Sequence, residues 1–149
     1  PRAAVDAHIA LHLSEAAVAA WIADPERIVL VGAAADAPET LLGYAMYETA
    51  ATPEAPVTER LGDVPAGHLS KLYVLAEGRG TGLAEALVHD GVERLRRLGF
   101  RHVWLGTNAQ NTRANRFYER LGFATIGARQ FVVGGERVED DWVRLLTVA

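Results

Sequence analysis

Arg79-Gly80-Thr81-Gly82-Leu83-Ala84 is a glycine-rich turn between two segments of different character. Upstream, His68 to Leu75 reads as a strand. Downstream, Leu83, Leu87, Val88, Gly91, Val92, Leu95 and Leu98 recur at helical spacing. A strand that feeds a helix through such a turn aims several backbone N–H groups, and the positive end of the helix dipole, at one point. That is an anion site, of the kind that usually holds phosphate. Taken alone, the turn reads equally well as a tight connection with no ligand.

The rest of the chain bounds what the turn could serve. Its 149 residues make one domain of ordinary size, large enough for a core. Half are apolar and 23% are charged, a soluble globular composition. No apolar run approaches the roughly 18 residues that span a bilayer, so no membrane is expected as a partner. Pro1-Arg2-Ala3 opens no secretion signal, and a cytoplasmic location is expected. There is no cysteine, which excludes disulfides, Cys-based metal sites and thiol nucleophiles. With a net charge of −4, nucleic acid is not an expected ligand. The five histidines show no metal-ligand spacing, and no metal is expected.

Local signals divide the chain into elements. Ser14 caps a helix over Glu15 to Ala23 that ends at Asp24-Pro25. Arg27 to Ala34 and Leu41 to Ala50 form a hairpin about a turn from Ala33 to Thr40. Thr52 to Gly67 holds Pro53, Pro56 and Pro65 and is expected as an irregular surface loop. After the strand His68 to Leu75, a helix runs to about Leu98, with Arg94, Arg96 and Arg97 near its negative end and Gly99 just beyond. Phe100 to Thr107 is the next strand, and Thr112 to Leu121 is a helix closed by Gly122. Phe123 to Val133 and Val138 to Val148 make a last hairpin around Gly134-Gly135. The expected order is helix, three strands, helix, strand, helix, two strands, an α+β (mixed α/β) layer.

Two familiar phosphate loops do not fit. A nucleoside-triphosphate loop ends Gly-Lys-Ser/Thr, whereas this one ends Gly82-Leu83-Ala84. A dinucleotide fingerprint needs a different glycine spacing from Gly78, Gly80 and Gly82, and an acidic residue ending a partner strand. A third pattern does fit. Arg79-x-x-Gly82-x-Ala84 matches Q/R-x-x-G-x-G/A, with Leu72-Tyr73-Val74 ahead of it. Asn111, Ala114, Phe117, Tyr118, Gly122 and Phe123 then match N-x-x-A-x-x-F-Y-x-x-x-G-F. From His68 to Phe123 the sequence thus resembles the GNAT (Gcn5-related N-acetyltransferase) family, with two spaced motifs in register. Phe123, Gly127, Phe131, Gly134 and Asp140 further resemble the tail of its PaiA-like branch, associated with polyamine acetylation. The resemblance implies a central, mostly antiparallel mixed sheet flanked by helices. It also implies a first strand before Ser14, and the sequence is expected to begin after it.

On this resemblance the protein is an acyltransferase of the N-acetyltransferase type, with acetyl-CoA as co-substrate. Backbone amides of Arg79, Gly80, Thr81, Gly82, Leu83 and Ala84 would hold the pyrophosphate, where glycine permits close approach. Leu72, Tyr73 and Val74 would pair with the pantetheine arm through their backbone, and Asn111 would hydrogen-bond it. Tyr118 sits at the place of the general acid that protonates the departing thiolate, and a phenol near pKa 10 is a reasonable donor for that task. Phe117, Tyr118 and Leu121 also fit a plain apolar helix face.

The base is open. Where some members carry a Glu before Asn111, this sequence has Gly106. Where others carry one at the start of the motif strand, it has His68, whose ordinary pKa near 6.5 suits proton removal from an amine. A water chain ending on Glu48, or no dedicated base, are the alternatives. His8, His12, His89 and His102 read as solvated. Glu48, Glu54, Glu59 and Asp63 against Arg60 make a local balance of −3, and Glu136, Glu139, Asp140 and Asp141 against Arg137 make another. Around an acceptor cleft they would favour a cationic amine; elsewhere they are solvated charge. A small amine or polyamine is the favoured partner, with a protein N-terminus as another. A non-catalytic acyl-CoA-binding or regulatory module on the same fold is the competing class. Many members dimerise, so a homodimer is open to this chain.

Overall fold

In the computed structural model, which describes residues 14–133 and 135–149, without the side chains of 130–133 and 136–139, Ser14 accepts the Ala17 N–H at 3.2 Å and starts α1, Glu15–Ala23. The hairpin β1 (Arg27–Ala34) and β2 (Ala37–Glu48) follows, then α2 (Ala55–Leu61) and β3 (Gly67–Val74). A single 3-10 turn, Ala76–Gly78, leads through the glycine turn into α3 (Leu83–Arg97). Beyond it come β4 (His102–Asn108), α4 (Thr112–Arg120), β5 (Ala124–Val133) and β6 (Glu136–Thr147). Residues 1–13, with His8 and His12, lie outside the described residues, and so does the expectation of a strand before Ser14.

The largest differences from expectation are three. The loop between β2 and β3 contains α2, because Pro56 stands in the first helical turn, where a missing N–H costs nothing. From there Val57, 2% exposed, anchors the helix to the sheet. β2 begins at Ala37 and closes directly on Ala34, so the hairpin turn is shorter than Ala33 to Thr40. β4 begins at His102 because the Phe100 N–H is committed to Leu95 O at 3.0 Å, while Gly99 N–H meets Arg96 O at 3.0 Å. Those two bonds, with Gly99 at φ +98°, form a Schellman cap on α3.

The sheet order is β1-β2-β3-β4-β6-β5. All pairs are antiparallel except β3 with β4, which are parallel and pair only at Gly67–Val103 and His68–Trp104. Beyond His68 the two strands part. β2 still holds β3 out to Val74, and β6 holds β4 out to Asn108, so the gap between them is a wedge in the middle of the sheet. Where it begins, Met46 pairs with Lys71 and Tyr47 with Leu69, leaving Ser70 as an extra residue on β3. A bulge of this kind bends its strand.

Each face of the sheet has a core. Leu69, Val103 and Leu105 pack with Leu87, Val88 and Leu95 of α3 and Tyr118 of α4. Trp104, Val143 and Leu145 pack with Val57 of α2 on the other side. Gly91 lies mid-helix because Tyr47 needs its space: a Cβ there would come within 2.0 Å of the Tyr47 ring, whose hydroxyl donates to Leu87 O at 3.1 Å.

Candidate active site

The glycine turn stands at the mouth of the wedge. Gly80 (φ +75°) and Gly82 (φ +84°) adopt the left-handed conformation, and open space surrounds both, so backbone geometry alone selects glycine. Thr81 closes the turn through its side chain, donating to Gly78 O at 2.5 Å and accepting the Leu83 N–H at 3.4 Å. Gly82 caps α3 without a side-chain hydrogen bond, and the first intrahelical bond is from Ala86 N–H to Gly82 O. The N–H groups of the first turn therefore have no partner within the helix, and the helix dipole adds to their pull on an anion.

A groove of about 610 Å³ runs from Leu72, Tyr73 and Val74 past this turn to α4. It gathers the residues singled out by motif, Arg79, Gly80, Gly82, Leu83, Ala84, Asn111 and Tyr118 among them. Of the site residues expected from the sequence, Thr81 and His68 do not line it. Phe117 of the motif lines it too, as do Arg113 and Arg120 of α4, which were not singled out although they share a helix face at seven-residue spacing. With Arg79 they bring three positive charges against one from Glu85.

The ends of α4 explain its motif. Asn111 caps the helix, its side-chain oxygen accepting the Ala114 N–H at 3.2 Å, which leaves the side-chain NH2 as its donor toward a ligand. At the other end Gly122 (φ +94°) sends its N–H to Glu119 O, and Phe123 sends its own to Tyr118 O, both at 3.0 Å. This is a second Schellman cap, with the Phe123 ring set edge-on to Tyr118 at 5.7 Å. Tyr118 is 9% exposed and burial pushes its phenol up to about 12, above the ordinary value near 10 assumed from sequence.

His68 lies at the apex of the wedge, on the last pair that joins β3 to β4. Glu48, His68 and Trp104 are cross-strand neighbours on β2, β3 and β4. The imidazole stacks on the indole, with centroids 3.8 Å apart and planes 11° from parallel, and its Nδ1 is 3.6 Å from Glu48 Oε2. Burial holds the His68 pKa below its ordinary value, and Glu48 opposes part of that shift. Neither His68 Nδ1 nor Trp104 Nε1 has a hydrogen-bond partner among the described residues.

Gly106, two residues along β4 from Trp104, shares its face. A Cβ on Gly106 would meet Arg129 Nη2 at 3.5 Å and Asp141 Oδ2 at 3.8 Å. Arg129 of β5 bridges Glu54 at the start of α2 and Asp141 of β6, the latter at 2.8 Å. Sequence reading noted the acids but not this guanidinium, which reaches the site only through strand pairing. Among the described residues no helix is long and apolar enough to cross a membrane, and no three acidic or histidine side chains converge on a metal site.

Residues 5–123 match the acetyltransferase (GNAT) family. A Mycobacterium tuberculosis protein, named only as an uncharacterized N-acetyltransferase, is 37% identical over 147 residues, covering 96% of this chain and 84% of that one. A mycothiol acetyltransferase of a Parafrankia species is 38% identical over 56% of this chain and 28% of its own length. Among solved structures, NAA60 of Arabidopsis thaliana in complex with acetyl-CoA superposes with a TM-score of 0.70 at 18% identity, over 85% of this chain and 79% of that one.

Proposed function

The chain belongs to the GNAT acetyltransferase family, and on that premise we propose that it transfers the acetyl group of acetyl-CoA directly to a cationic primary amine. One observation carries the reading: the wedge between β3 and β4 opens onto the glycine turn at the head of α3 on one side and Tyr118 on the other. A ligand with a long polar arm and a polyphosphate fits this groove. The free edge of β3 at Leu72, Tyr73 and Val74 offers backbone groups to the arm, as an added strand would. The turn amides, with Arg79, Arg113 and Arg120, suit the phosphates. Thr81 contributes by holding the turn in shape.

The opposite face supports the amine. Glu48, Glu54 and Asp141 against Arg129 leave a net −2 beside a neutral His68, a field that attracts a cation. Buried polar atoms without partners are places where a ligand or water completes the bonding, and His68 Nδ1 and Trp104 Nε1 are two such atoms. His68 takes the proton that the ammonium group must lose, and its lowered pKa keeps it neutral for that step. The amine nitrogen then forms its bond to the acetyl carbon as the carbon–sulfur bond breaks, and the second proton shed by that nitrogen goes to the departing thiolate. Tyr118, still protonated at working pH, donates a hydrogen bond to the departing sulfur; with a pKa near 12 it stabilises charge more readily than it surrenders its proton. The polyamine form of this reading rests on the acid cluster. The PaiA-like tail adds less, because Gly127 is explained by packing: a Cβ there would come within 2.6 Å of Pro56.

Calorimetric titration with acetyl-CoA, ATP and NAD, followed by a panel of polyamines, small amines and peptide N-termini with CoA thiol release as readout, tests the proposal. Acetyl-CoA should bind alone among the three, and a polyamine or small amine should give turnover. Binding without transfer to any amine would establish a non-catalytic module, and turnover confined to peptides a protein N-terminal acetyltransferase.

A further inference from the structure

Asn111, Asn115 and Tyr118 fall at i, i+4 and i+7 along α4, on one stripe of the helix. The outer two line the groove. Asn115, between them, is 8% exposed and turned into the protein. Both ends of its carboxamide are engaged. Oδ1 accepts from Thr107 Oγ1 at 2.8 Å and from Arg144 Nη2 at 3.1 Å, with Arg144 Nε at 3.3 Å. Nδ2 donates to the carbonyls of Asn111 at 2.9 Å and Asn108 at 3.0 Å, with Ala109 at 3.4 Å. One side chain thus joins the end of β4, the turn after it, the cap of α4 and β6.

Arg144 completes the arrangement at the other end of the helix. It is 2% exposed, and besides Asn115 it donates to Phe123 O at 3.2 Å and to Glu119 Oε1 at 3.0 Å. Those residues belong to the C-terminal cap of α4, where the negative end of the dipole offsets part of the cost of burying a cation. Asn115 therefore fixes the start of α4 and Arg144 its end. A buried ion costs more to desolvate than an apolar filling of the same space, so stability alone does not account for it.

We propose that Asn115 and Arg144 are positioning residues that hold α4 where Asn111 and Tyr118 both face the groove. The inference rests on the acetyl-CoA reading of that groove. Asn115→Asp keeps the shape and the acceptors for Thr107 and Arg144, but it removes both N–H donors and turns a carboxylate toward three carbonyls. Titration of the folded variant with CoA should give a Kd raised about tenfold, with the KM of the best amine in the panel changed by less than about twofold. Arg144→Lys keeps the charge but loses the fork, and should raise the same Kd about threefold. A purely structural role would lower Tm and leave the folded protein's Kd where it was. A folded Asn115→Asp protein with wild-type CoA affinity overturns the proposal, as does an equal loss of CoA and amine affinity. Should Asn115→Asp not fold, Thr107→Val removes a single donor to Asn115 and carries the same test, with a rise of about threefold expected and none refuting it. Failure of the wild-type protein to bind CoA would instead remove the functional reading beneath.

Discussion

Burial disfavours the charged form of any group, so it lowers the pKa of His68 and raises that of Tyr118 to about 12. The acidic limb of kcat/KM is therefore expected below the ordinary histidine value of about 6.5 and absent in His68→Gln. Identical acidic limbs in the two proteins would remove His68 as the base. The same shift bears on stability. Because the folded pKa is the lower one, the unfolded chain gains a proton first as pH falls. The contribution is complete above about pH 6.5 and is lost as pH drops through the folded value. Melting curves across that window should fall more steeply for the wild type than for His68→Gln. Tyr118→Phe should lower kcat by about a hundredfold and leave CoA affinity nearly intact. Unchanged turnover would return Tyr118 to the core. His68 and Tyr118 were both legible as candidates in the sequence, but their protonation was not, since it depends on Trp104 and Phe123 lying against them.

Helix ends were the most legible part of the chain, because caps are made within a few residues. Gly99 and Gly122 close α3 and α4 as expected, and Ser14 opens α1. The element that escaped was α2, where three prolines outweighed a short pattern whose anchor, Val57, matters only against the second core. Three substitutions at two positions test the helix that carries the turn. Gly82→Ala meets open space but a φ of +84°, so it should cost roughly 1 kcal/mol of stability and raise the Kd for CoA, whereas Gly82→Asn tolerates that φ better and should do less harm. Equal affinity in all three proteins would show that the turn amides do not carry the ligand. Gly91→Ala puts a methyl into the Tyr47 ring and should cost about 1–3 kcal/mol by thermal melt, with no direct effect on the groove.

At the scale of the molecule, the wedge divides the work between two sides of one sheet. The groove side, with Arg79, Arg113 and Arg120, is cationic and the His68 side, with Glu48, Glu54 and Asp141, is anionic, so on the proposed reading the two should respond differently to substitution. Arg129→Ala frees Glu54 and Asp141, and should change the KM for the amine while the Kd for CoA stays put. Because all three side chains are partly solvated, its effect on stability should be below about 1 kcal/mol. Steady-state kinetics in which both substrates weaken together would contradict this division.

The sequence by itself determined what short-range physics controls. It placed the glycine turn before α3, the caps of α1, α3 and α4, and the motif residues that turn out to line one groove. These depend on φ, on N–H groups and on helical spacing within about ten residues. Only the tertiary structure decided the parting of β3 from β4 after a single pair of contacts, the guanidinium over Gly106, and the clamp that Arg144 and Asn115 place on α4. Each joins residues far apart along the chain. Their geometry is set by strand register and by which face a side chain takes, and neither is fixed until the whole sheet has formed.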